Sequence, residues 1–163
     1  MIDKKQIISL MLAFMLGLIM NEAYSGINSL EMPLSTVKAG PEIDSPSDWI
    51  KEEQIKVYSN RVIIEIDDPE WASFTNTNSM DPVIDETSHA IEIVPKSTDG
   101  INAGDIISYK SDYAEGTIIH RVTKTGYDKE GWYCIAKGDN NPTTDPGKIR
   151  FNQIKRILVA IIY

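Results

Sequence analysis

The sequence predicts a mainly β protein with an antiparallel sheet, and three observations carry that expectation. Short apolar runs, several with strand-type alternation, recur between residues 54 and 162. Clusters of Gly, Ser, Asn, Asp and Pro punctuate them at short intervals, as tight connections between antiparallel neighbours require. The runs follow one another as short strands and not as a βαβ array.

The chain begins differently. Residues 7–20 read IISLMLAFMLGLIM, with Lys4 and Lys5 before them and Asn21 and Glu22 after. At 1.5 Å per residue this run covers roughly 21 Å, short of the ~30 Å hydrocarbon core. Tyr24 is a good interfacial anchor that, with local bilayer thinning, extends the span. Three readings stand on the segment alone: an uncleaved anchor with its lysines on the cytoplasmic side, a cleaved signal peptide ending near Ala23-Tyr24-Ser25, and a buried core helix. Residues 25–46 hold Pro33, Pro41, Pro46 and two glycines without helical or strand period, which reads as a linker or stalk. Ser45-Pro46-Ser47-Asp48 then has the composition of a helix start, predicting a short helix that carries Trp49 and Ile50 inward.

From there the elements are strands. Residues 54–58 and 62–66 flank Ser59-Asn60 and predict a hairpin. Further strands are expected at 71–77, 90–94, 105–109, 117–125, 132–136 and 154–162, with turns at 97–104, 111–116, 126–131 and 138–147. A chain of 163 residues with 24 Asp+Glu against 16 Lys+Arg, net charge -8, fits one acidic domain and argues against a nucleic-acid surface. A single cysteine, Cys134, excludes an internal disulfide and a thiolate-rich metal site, and it reads as a small buried strand residue. Two histidines, His89 and His120, argue against a multi-histidine metal centre. His89 reads as exposed.

Three segments bear on chemistry. In Thr77-Asn78-Ser79-Met80-Asp81-Pro82, a serine at a strand end before a rigid turn presents its hydroxyl in a fixed direction. Its own N–H and the Thr77 hydroxyl are then available to a developing oxyanion. The plain structural reading is a turn. In Ile118-Ile119-His120-Arg121-Val122, two titratable groups sit in an apolar run, where each needs a partner. His120 is a candidate general base or a hydrogen-bonded core histidine. In Lys137-Gly138-Asp139-Asn140-Asn141-Pro142-Thr143-Thr144-Asp145-Pro146-Gly147, every residue suits a loop, and two carboxylates are available to fix an imidazole tautomer.

In this order, Ser-Met-x-Pro, Ile-His-Arg-Val and Lys-Gly-Asp-Asn-Asn with a later Asp, the chain resembles type I signal peptidases. The match is to the archaeal and endoplasmic-reticulum branch, which has histidine where bacterial enzymes use a lysine base. Ala103-Gly104-Asp105-Ile106-Ile107 is a further match. The resemblance implies a mainly β, antiparallel catalytic domain (residues 47–163) behind an N-terminal transmembrane helix (1–24) and a stalk (25–46). It implies Ser79 as nucleophile, His120 as base and Asp145, six residues after Asp139, as the orienting acid. Thr77 falls at the oxyanion position and Asp139 at a supporting one. Substrate would lie as an extended strand beside residues 71–77, with Phe74, Thr75 and Met80 in contact with it. No metal or other cofactor is implied. The expected partners are signal-peptide-bearing preproteins and the lipid bilayer, and the expected location is the cell membrane, single-pass, with the catalytic domain on the exterior face. The chain departs from the family's pattern at Asn78, where a Gly is usual, at residues 84–93 and at Pro146. A non-enzymatic β domain on a stalk, used for binding or assembly, is the alternative from another class.

Overall fold

The computed structural model describes residues 42–163 together with Asp3, Gln6 and Met11. The expected membrane helix at 1–24, and the expected stalk up to residue 41, lie outside the described residues. Among the described residues no helix is long and apolar enough to cross a membrane.

The described part of the chain is mainly β and antiparallel. A small hairpin pairs β1 (Ile55–Val57) with β2 (Val62–Ile64), Ile55 opposite Ile64 and Val57 opposite Val62. A seven-stranded sheet follows: β3 (Glu70–Ser73), β4 (His89–Ile93), β5 (Ile106–Tyr109), β6 (Ile118–Asp128), β7 (Gly131–Lys137), β8 (Ile149–Arg150) and β9 (Ile154–Ile162). Their order across the sheet is β3-β4-β9-β5-β6-β7-β8, every neighbouring pair antiparallel. Side chains alternate across a strand, so adjacent residues feed two separate apolar clusters. Ile107, Tyr109, Val122, Cys134 and Ile157 join one cluster, while Met80, Ile84, Ala90, Ile106 and Leu158 join the other. Register shifts at Ile91/Glu92, Ser108/Tyr109 and Val122/Lys124 interrupt three of the ladders. Such bulges bend and twist a sheet locally.

Three expectations are corrected. The segment after Pro46 forms no helix; the nearest helical turn is a 3-10 turn at Glu52–Gln54. Ser47 and Trp49 of this segment instead bind a distant carboxylate. Asp105, fully buried, accepts bonds from Ser47 N (2.7 Å), Ser47 Oγ (3.1 Å), Trp49 Nε1 (3.0 Å) and Asn102 N (2.8 Å). Four donors satisfy a charge whose burial would otherwise be prohibitive. Trp49 still packs on the first apolar cluster, as expected. Gly104 lets this segment approach closely, because a Cβ there would lie 2.0 Å from the Ser45 carbonyl oxygen. The strand expected at 71–77 ends at Ser73, since β4 offers partners only to Glu70 through Ser73. The turn expected at 126–131 shrinks to Lys129-Glu130, because Gly126 and Tyr127 pair with Tyr133 and Trp132.

Glu92 on β4 is a buried acid whose Oε1 has no hydrogen-bond partner among the described residues. Burial pushes its carboxyl above the ordinary carboxylate range, against the opposing pull of Arg156. A raised folded-state value favours the protonated acid, so this contribution to stability is complete below the unfolded value and is lost as pH rises through the folded one. Glu92→Gln keeps the shape and removes the charge. Its Tm is expected to match that of the parent near pH 4 and to exceed it by roughly 2–6 °C near neutrality. Thermal unfolding of both proteins across that range checks the expectation; an equal offset at every pH would contradict it.

Candidate active site

The chemistry-bearing segments meet because the loop after β7 folds back over the turn that holds Ser79. Asn140 N donates to Ser79 O (3.0 Å), Asn140 Nδ2 donates to Asn78 O (3.0 Å), and Asp139 N donates to Met80 Sδ (3.4 Å). Gly138 permits this contact, because a Cβ on it would stand 2.5 Å from the Ser79 carbonyl oxygen. Asn78 has φ +56°, a left-handed conformation that Gly adopts freely and Asn tolerates better than most residues. The departure from Gly at this position is therefore conformationally mild.

His120 and Arg121 are neighbours on β6, and strand alternation sends them to opposite faces. Each is 8% exposed, and each has found a carboxylate. His120 Nδ1 lies 2.7 Å from Asp145 Oδ2. The Arg121 guanidinium grips Asp139 with two bonds, Nε to Oδ1 at 2.8 Å and Nη2 to Oδ2 at 2.7 Å, while Nη1 donates to Gly104 O at 2.8 Å. A forked pair of this kind is strong and directional. It also occupies Asp139, leaving Asp145 as the carboxylate on the imidazole. Asp145 is fixed through its backbone as well, N–H to Ala136 O at 2.8 Å.

Ser79, Thr77 and His120 line one cleft of about 540 Å³. Ser79 Oγ lies 3.2 Å from Thr77 Oγ1, and either hydroxyl can donate. Among the described residues Ser79 Oγ and His120 form no direct hydrogen bond, so the cleft holds a histidine–carboxylate pair and a serine that are not yet joined. Bonds of this kind commonly tighten only when substrate arrives. Phe74, Ile84, Ile118 and Ile119 give the cleft its apolar walls, and Thr75, Asp85 and Glu115 lie at it too. Met80 borders it but is buried, tied to the loop after β7 through its sulfur. His89, expected to be exposed, is half-buried; its ring stacks on Trp71 with centroids 5.0 Å apart, and it does not line this cleft.

One residue at the site was not singled out from the sequence. The Tyr109 hydroxyl donates to Asp145 Oδ2 at 2.7 Å, the same oxygen that faces His120. The available signal was a tyrosine closing an aliphatic strand, whose hydroxyl must find a partner once buried. Among the described residues no cluster of His, Cys, Asp and Glu suits a metal ion. No family model, curated protein or solved structure matches this chain.

Proposed function

We propose that the chain is a membrane-anchored serine endopeptidase that cleaves signal peptides from exported proteins. The observation that carries the reading is the buried His120–Asp145 pair at 2.7 Å, at a cleft that also holds Ser79. In that reading His120 takes the proton from Ser79 Oγ as it attacks a peptide carbonyl, then returns it to the leaving amine. Asp145 holds the imidazole in the tautomer whose free nitrogen faces the serine, and stabilises the imidazolium once formed. The Thr77 hydroxyl and the Ser79 N–H serve the oxyanion.

The substrate reading draws on the walls of the cleft and on β3. Phe74, Ile84, Ile118 and Ile119 suit apolar side chains of an extended peptide. Among the described residues β3 is an edge strand, paired on one side by β4, and such an edge accepts a further strand through main-chain bonds. Lys4 and Lys5 before the apolar run, and Glu22 after it, support a single-pass reading with the catalytic domain on the exterior face.

The test uses the full chain in lipid vesicles with a preprotein substrate. Release of the mature protein at a single site supports the reading. Binding of the preprotein without cleavage would favour a stalked binding or assembly domain.

A further inference from the structure

We propose that Tyr109 is a positioning residue of this site, which clamps the Asp145 carboxylate so that one oxygen serves His120. The inference rests on the peptidase reading for its catalytic consequence, but its geometry stands apart from any substrate. Asp145 Oδ2 meets two donors, the Tyr109 hydroxyl at 2.7 Å and His120 Nδ1 at 2.7 Å. The backbone N–H of Asp145 is tied to Ala136 O, which fixes the start of the side chain but not the rotation of the carboxylate. The contact with His120 alone leaves the carboxylate plane free to turn about the Cβ–Cγ bond. The phenol, a second donor on the same oxygen, fixes that plane.

Tyr109 can perform this role because it is packed in place and held in its protonated form. Its side chain is 1% exposed and sits in the first apolar cluster with Ile107, Val122 and Cys134. β5 pairs it with Ile118, two residues before His120 on the adjacent strand. Burial, together with the Asp145 carboxylate, holds the phenol far above its ordinary range. It therefore stays protonated, and a donor, at pH values where an ordinary tyrosine ionises.

The phenol also tunes how much negative charge the imidazole meets. A donor on Oδ2 draws charge away from the bond to His120. Losing that donor strengthens Asp145's hold on the imidazolium; a better donor weakens it. The other titratable groups nearby are Asp85 and Glu115 at the cleft, Cys134 packed with Tyr109, and the mutually paired Arg121 and Asp139. None of them forms a hydrogen bond to Asp145 Oδ2 among the described residues.

The experiment compares Tyr109→Phe with the protein carrying 3-fluorotyrosine at position 109, which keeps the ring and makes the phenol a stronger donor. Two readouts are followed: the His120 Nδ1–H proton resonance, which needs no substrate, and the kcat/KM profile on a peptide spanning a signal cleavage site. Tyr109→Phe is expected to move the resonance downfield, shift the acid limb of kcat/KM to higher pH and lower kcat roughly 10-fold. The fluorinated protein is expected to move the resonance and the limb in the opposite directions. Packing alone would not reverse sign between the two proteins. Unmoved readouts, or shifts in the same direction, would overturn the inference. Opposite resonance shifts in a protein that cleaves no peptide would uphold the role of Tyr109 and sink the peptidase reading.

Discussion

His120→Ala is expected to lower kcat on a signal-spanning peptide by about 10⁴–10⁶-fold while leaving the fold intact. Losses of that size follow when the base of a serine–histidine unit is removed, because the serine hydroxyl is then almost wholly protonated and unreactive. The cost to stability is small by comparison, since Ala at 120 leaves Asp145 still held by Tyr109. The same role fixes the pH dependence. Only neutral imidazole accepts a proton, so kcat/KM falls on the acid side as the ring protonates. His120→Lys is not expected to restore turnover, because an ammonium base requires an apolar pocket that strips its proton. Here the position faces the Asp145 carboxylate, which would hold a lysine charged. Steady-state kinetics across pH on the three proteins checks this, and full activity in His120→Ala would end the dyad.

The two carboxylates separate next. Asp145→Asn is expected to cut kcat by ~10³–10⁴-fold with little loss of stability, because an amide presents the imidazole with the wrong donor pattern and favours the wrong tautomer. Asp139→Asn is expected to act on stability instead. It breaks a fork that neutralises a buried guanidinium, and losing one partner of a buried pair costs about 3–5 kcal/mol. Denaturant unfolding and kcat, measured on both variants, distinguish them. A greater loss of turnover at Asp139, in a protein that remains folded, would reverse the assignment.

The sequence revealed its strands where apolar residues alternate between fixed turns. β9 was legible to the residue, and the β1–β2 hairpin nearly so. The requirement that His120 and Arg121 be paired was also legible, because two titratable groups in an apolar run cannot be left alone. Which carboxylate each would take was open on local grounds, since a loop containing Asp139 and Asp145 folds back through contacts distant in sequence. The misreadings have the same cause. Ser45, Pro46 and Asp48 carry the signals of a helix start, yet the donors of Ser47 and Trp49 beside them go to Asp105, 58 and 56 positions away. Phe74, Thr75 and Thr77 suit a strand by type, but among the described residues no neighbouring strand pairs them. His89 has a polar residue's usual claim to the surface, and a cross-strand Trp71 covers it. Tyr109 escaped notice because its partner lies 36 residues on, beyond the reach of any local pattern.

The most direct test of the serine mechanism is hydrolysis of a peptide spanning a signal cleavage site by the full-length protein and by Ser79→Ala, with products identified by mass spectrometry. The expected result is cleavage at one bond, after a small residue, by the parent protein. Ser79→Ala, folded and binding the same peptide, should show no turnover above the uncatalysed rate. Cleavage at the same bond by Ser79→Ala would contradict the mechanism, because no other residue in the cleft is assigned the attack.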